Sequence, residues 1–228
     1  MVKVLDTGRR PAKENMQIDE DLLTHLKEGE EPILHFYDWI EPAITYGYFV
    51  TPETLVKKIG GVDFARRPTG GGILFHIWDF AFSILIPAHH EGYSPDVLKN
   101  YCYINERLII ALTNFLEGKL SFGLLKEDPV APFENAKHFC FAKPTIYDVM
   151  CEGKKIAGAA QRRKKNGYLH QGSISLFAPD QTVLEEILLD KDVHKAMKGE
   201  TFVPFSREEE RIKKDLKSAL EKVFTTLL

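Results

Sequence analysis

CEGKKIAGAAQRRKKNGYLHQGSISLF, residues 151–177, is the stretch on which the fold turns. Glu152-Gly153 is a hairpin signal between a strand predicted over residues 145–151 and another over 155–160. Residues 168–177 predict a further strand, with Gln161 and the basic run of residues 162–165 read as a surface loop. Consecutive strands without intervening helices argue for antiparallel pairing.

Working outward, residues 2–6, 33–37, 43–46, 62–65, 73–76 and 80–86 also predict strands, with Trp39 and Pro42 in a connection and a further short segment over 138–141. Residues 12–27 have helical periodicity, with Met16, Leu22, Leu23 and Leu26 near one face. Thr51-Pro52 opens a short helix. Ser94-Pro95-Asp96 opens a long one running to Phe115, with Ser94 read as its N-cap. A loop rich in proline and charge follows it, and residues 180–189 and 206–227 predict the last helices. Strands cluster rather than alternate with helices. The expected fold is therefore α+β, with mixed, largely antiparallel sheets flanked by helices. One domain over residues 1–228 is expected, without a separate C-terminal accessory domain.

The chain has 228 residues, 44% hydrophobic and 28% charged, which suits a globular protein and excludes disorder as its main state. Its net charge of -3 argues against a dedicated nucleic-acid binder. There is no secretory signal and no apolar run of membrane-spanning length, so a cytoplasmic protein without a membrane partner is expected. Three cysteines without a CxxC pair predict neither a disulfide framework nor a metal site.

Three segments could carry chemistry. In Arg66-Arg67-Pro68-Thr69-Gly70-Gly71-Gly72 the glycines allow close approach of backbone amides to a ligand, beside guanidinium cations. That suits a carboxylate, a phosphate or an acyl oxyanion, although a simple glycine-rich turn fits equally well. Lys155 leaves a tight turn, where a lysine is normally solvated, and is followed by the small residues 157–160. Cys140 could be a nucleophilic thiol if a cation lies nearby.

Together these segments resemble the superfamily of lipoate–protein ligase A, biotin–protein ligase and the octanoyltransferases, over roughly residues 5–180. TGRRPAKENMQIDEDLL, FYDWIEPAITYGYF, RRPTGGGILFH, GKKIAGAAQRR and LHQGSISL follow the family's order. The resemblance implies a biotin/lipoyl protein ligase catalytic-domain-like fold, with an acyl site between the glycine loop and the lysine hairpin. It implies that Arg67, Gly70, Gly71 and Gly72 line the acyl carbonyl or acyl-phosphate and that His76 closes the loop. Lys155 contacts the acyl carbonyl, and Gly158 and His170 border the tunnel. The family's His-Asp pair is interrupted here, as His76-Ile77-Trp78-Asp79.

CFAKPTIYD resembles the segment of octanoyltransferases that use a cysteine with a lysine, which implies Cys140 and Lys155 as the catalytic pair. The implied reaction moves an octanoyl or lipoyl group through a Cys140 thioester. The donor is acyl carrier protein or an acylated carrier domain. The acceptor is a lysine on the lipoyl domain of a 2-oxoacid dehydrogenase or on a glycine-cleavage carrier. No cofactor is required in that reading. The three consecutive glycines are the form found in ATP-dependent lipoate ligases, for which ATP and Mg would be needed and Cys140 would be a bystander. A non-catalytic paralogue that binds an acylated carrier is a third reading.

Overall fold

The computed structural model describes residues 1–206 and 210–228. The strands are β1 (Lys3–Arg10), β2 (Ile33–Trp39), β3 (Ala43–Tyr46), β4 (Asp63–Arg66), β5 (Ile73–His76), β6 (Asp79–Pro87), β7 (Phe122–Leu124), β8 (Val149–Cys151), β9 (Lys154–Lys164) and β10 (Gly167–Ser175). The helices are α1 (Ala12–His25), α2 (Val97–Phe115), α3 (Gln181–Ile187), α4 (Lys191–Glu200) and α5 (Glu210–Leu227). The seven-stranded sheet runs β1-β2-β6-β10-β9-β8-β7 and the three-stranded sheet β4-β3-β5. Only β1–β2 and β3–β4 pair in parallel, so the mixed, largely antiparallel expectation holds.

Two layers of apolar side chains cover the large sheet. On one face, Ile104, Leu108 and Leu112 of α2 and Leu216, Leu220 and Phe224 of α5 pack on Leu34, Phe82, Ile84, Ile156 and Ile174. On the other face, Leu23 of α1 and Leu26 just after it meet Leu85 and Leu169, and Met16 meets Tyr37 and Ala81. Every residue of β10 is buried, as expected for a central strand covered on both sides.

Several local expectations need correction. Trp39 ends β2 instead of lying in a connection. The cap of α2 is Asp96, whose carboxylate accepts from Leu98 N at 3.0 Å, while the Ser94 hydroxyl accepts from Asp96 N. Residues 161–164 extend β9 and are not a loop, because each pairs with β10 across the ladder. Residues 138–141 are not a strand: a 3₁₀ turn, Glu134–His138, leads into a single bridge between Phe139 and Ile73. Only Val149–Cys151 of residues 145–151 is strand, since Asp148 N bonds back to Thr145 O and turns the chain. Thr51 precedes a 3₁₀ turn without capping it through its side chain. The helix expected from Ser206 is described from Glu210; residues 207–209 lie outside the described residues. Strand β7 and helix α4 carried no sequence signal strong enough to place them. Among the described residues, no helix is long and apolar enough to cross a membrane.

Candidate active site

The Glu152-Gly153 turn has φ of 50° and 78°, the left-handed pair of a two-residue hairpin. Just beyond it the β8–β9 register slips: Met150 pairs with Lys155, but Val149 pairs with Ala157. This bulge puts consecutive residues Ile156 and Ala157 on the helix-covered face and turns Lys155 to the other side. Lys155 is therefore 4% exposed, not the solvated turn lysine that its position suggests.

Its ammonium has two oxygen partners. Lys155 Nζ lies 2.7 Å from Asp148 Oδ2 and donates to the Cys140 carbonyl oxygen at 2.7 Å. Asp148 is 3% exposed and also accepts from Thr145 N at 2.7 Å and Thr145 Oγ1 at 3.1 Å. Burial pushes the Asp148 carboxyl up from its ordinary value, opposed by Lys155 and Thr145. Gly158 makes room for this pair, since a Cβ there would fall 2.5 Å from both Lys155 Nζ and Asp148 Oδ1.

Cys140 arrives from the neighbouring loop and is partly exposed. Its backbone N–H donates to Ile73 O at 2.9 Å, which anchors the loop on the small sheet. The same bond commits that N–H, so it is not a free donor for an oxyanion. Cys151 is different: it is 1% exposed and belongs to the core under α2, where burial raises its thiol pKa. It is packing, not a rival nucleophile.

The glycine loop faces Cys140. Gly71 has φ +82°, and a Cβ there would lie 3.3 Å from Ala160 Cβ and 4.0 Å from Cys140 Sγ. A Cβ on Gly72 would collide with the His138 carbonyl. Arg67, 4% exposed, donates through Nη2 to Gly70 O at 3.1 Å and Gly72 O at 2.7 Å, and through Nη1 to Thr45 Oγ1 at 2.8 Å. Its guanidinium thus braces the loop from within, with no carboxylate in ion-pair range among the described residues.

His76 continues this chain. Its Nε2 meets Thr45 Oγ1 at 2.8 Å and its Nδ1 meets Asp79 Oδ2 at 2.9 Å, while Trp39 stacks on its ring with centroids 4.2 Å apart. The interrupted His-Asp pair is re-formed in space. The Ile77-Trp78 turn brings the first residue of β6 back beside the last of β5. Ser173 Oγ donates to the same Asp79 oxygen at 2.5 Å.

Arg67, Gly71, Gly72, His76, Cys140, Lys155 and Gly158 all line one cavity of about 210 Å³. Gly70 does not line it and contributes its carbonyl to Arg67. His170 does not line it either. Gln171 and Ser173, on either side of Gly172, reach the cavity, so strand alternation sends His170 to the opposite face. There it sits near Phe82 and Tyr101, bonded to Gln161, and burial holds its pKa down at about 3.

Residues absent from the expected set complete the site. Asp148 ended the CFAKPTIYD segment but showed no partner in sequence. Gln171 accepts from Thr69 Oγ1 at 2.6 Å and donates to Asp19 at 2.7 Å. Asp19 also binds His35 and Ser83, at 2.8 and 2.6 Å. This buried network ties the glycine loop to α1; its bonded pairs are separated by 16 to 152 residues and have no mutual spacing signal.

Comparison with known proteins gives a consistent result. The family described as the lipoyl protein ligase A/B catalytic domain matches residues 11–212. The octanoyltransferase LipM of Symbiobacterium thermophilum is 35% identical over 181 residues, covering 76% of this chain and 65% of that protein. LipM of Staphylococcus aureus is 30% identical over 226 residues, 94% of this chain and 74% of that protein. The chain thus spans about two thirds of these relatives, falling to 60% for LipM of Carboxydothermus hydrogenoformans. Among solved structures, a lipoate-protein ligase A bound with ATP superposes with a TM-score of 0.74 at 23% identity, over 99% of this chain and 85% of that one. The bipartite lipoate protein ligase of Thermoplasma acidophilum, solved in a study with its E2 lipoyl domain, gives 0.73 at 23%, over 99% and 83%. These two likenesses establish the shared fold.

Proposed function

We propose, for a chain that belongs to the lipoyl protein ligase A/B catalytic-domain family, that it moves an octanoyl or lipoyl group onto a lysine of lipoyl domains through a thioester on Cys140. The observation that carries this reading is the cavity in which Cys140, the Lys155 ammonium and the Gly71 turn converge. The likeness to LipM octanoyltransferases supports it.

In this mechanism the Cys140 thiolate attacks the carbonyl of an acyl thioester on a carrier, and the carrier thiolate leaves. The Lys155 ammonium lines the same cavity as the Cys140 thiol and is assigned the developing oxyanion. Asp148 holds that ammonium in place. Because the Cys140 amide is committed to Ile73, the remaining oxyanion donors are assigned to the glycine loop, braced by Arg67. The acceptor lysine, as a free amine, then attacks the enzyme thioester, the Cys140 thiolate leaves, and the amine proton passes to solvent. Exchange between thioesters is nearly isoenergetic and amide formation is downhill, so the route needs no ATP.

The test is intact-protein mass spectrometry after mixing with octanoylated acyl carrier protein without ATP. One octanoyl group should add, and Cys140→Ser should abolish the thioester. An ATP-dependent ligase would instead release pyrophosphate from ATP and free lipoate and would work normally as Cys140→Ser. A protein that bound the acylated carrier but gave neither signal would be a non-catalytic binder.

A further inference from the structure

The mouth of the cavity carries features that acyl transfer itself does not use. Lys137 and Lys143 line the cavity, yet neither has an ion-pair partner among the described residues. The acyl group is neutral, and Lys155 is already balanced by Asp148. Against the glycine loop, the chain between β3 and β4 presents Tyr48 and Phe49, which are 44% and 89% exposed. The two rings lie 5.2 Å apart, so they form one exposed aromatic pair and not two scattered side chains.

This aromatic tip is built onto the site. Gly47 N donates to Gly72 O at 3.2 Å, Tyr48 N to Thr69 O at 2.9 Å and Val50 N to Gly47 O at 3.0 Å. The tip is therefore held by the backbone of the glycine loop that faces Cys140. The Arg66 guanidinium lies 4.5 Å from the centre of the Tyr48 ring, and that of Arg162 lies 5.6 Å away. Arg162 also pairs with Glu20 at 3.1 Å, whereas Arg66 is exposed and has no carboxylate in ion-pair range among the described residues. Aromatic anchors with arginines over them are the make-up of a protein-binding surface, and the cavity behind the glycine loop adds two unpaired lysines on a chain of net charge -3.

We propose that the Tyr48–Phe49 tip and Arg66 form the docking surface, and the cavity lysines Lys137 and Lys143 the phosphate contacts, for the acyl donor, an acidic carrier domain that delivers its acyl group on a phosphate-bearing arm. This rests on the transferase reading and names the partner surface of that same site. Phe49 packs against the carrier, Arg66 meets its acidic face, and Lys137 and Lys143 take the phosphate as the thioester enters. The donor arm brings a phosphate to the cavity and the acceptor lysine brings none, so Lys137 and Lys143 are assigned to the donor.

The test separates docking from chemistry. Binding of acyl carrier protein to the unmodified enzyme and to Phe49→Ala/Arg66→Glu is measured by calorimetry at low and high salt. Acylation of Cys140 by octanoyl-pantetheine, a small donor without phosphate or protein, is followed by mass in the same two proteins. The double variant should lose about tenfold or more in carrier affinity and most of its salt dependence, while octanoyl-pantetheine still acylates Cys140 at close to the unmodified rate. Unchanged carrier affinity overturns the proposal, as does an equal loss toward both donors. Normal carrier affinity with weakened binding of an unmodified lipoyl domain would assign the surface to the acceptor and also overturn it. If neither octanoyl-pantetheine nor octanoylated acyl carrier protein acylates the unmodified enzyme, the thioester chemistry falls, and the calorimetry still decides the surface.

Discussion

Gly158 and Lys155 are matched across three residues of one strand. A Cβ on residue 158 would lie 2.5 Å from Lys155 Nζ, so the bare α-carbon is what lets the ammonium lie across β9 toward the Cys140 carbonyl. Gly158→Ala should push the ammonium off its position and lower transfer by about 10²-fold, the usual effect of a misplacement near 1 Å. The assay is the rate of octanoyl transfer, with circular dichroism to verify folding. Activity close to normal would show that the position of Lys155 is not critical.

Lys155→Ala should cost about 10²–10³-fold in transfer, as for loss of one oxyanion donor. It should also destabilise the fold by about 3–5 kcal/mol, because it strands the buried Asp148 carboxylate. Lys155→Ala/Asp148→Asn should recover much of the stability, read by urea unfolding, without recovering activity. Recovered activity in the double variant would remove Lys155 from the chemistry.

Gly71→Val places a β-branched side chain at φ +82° and aims it at Ala160 and Cys140 Sγ. Acyl loading of Cys140 should be lost. Stability should fall by about 1–3 kcal/mol from backbone strain. Normal loading would reduce the loop to a turn.

Alkylation should discriminate among the three thiols. Cys151 is sealed in the core, and the Cys102 thiol pKa is raised by burial and by Glu106. Limited iodoacetamide should therefore label Cys140 first, as peptide mapping will show, and octanoyl loading should protect it. Preferential labelling of Cys102 would contradict the role assigned to Cys140.

His170 predicts a pH dependence of stability. Burial lowers its folded pKa to about 3, against an ordinary value of 6.5. Between these values the unfolded chain binds the extra proton, so stability should rise with pH across that window. The contribution is complete above about pH 6.5 and is lost as pH falls toward 3. Urea unfolding of His170→Phe from pH 7 to pH 4 should show a shallower decline than the parent protein. An identical slope would mean that His170 can be protonated in the folded state.

The sequence by itself determined the strand clusters, the Glu152-Gly153 hairpin and the segments that converge on the cavity. These depend on local rules: hydrophobic period, turn residues and proline or glycine punctuation. Ala43–Tyr46 and Ile73–His76 were legible to the residue for that reason. Only the tertiary structure decided what required pairing across the chain. The β9 bulge turned Lys155 from a solvent position into a buried ion pair with Asp148. The Ile77-Trp78 turn returned Asp79 to His76, and the sheet face separated His170 from Gln171, its neighbour in sequence. A side chain's face depends on register, and register is set by partners tens of residues away, as where Thr69 meets Gln171 and Gln171 meets Asp19.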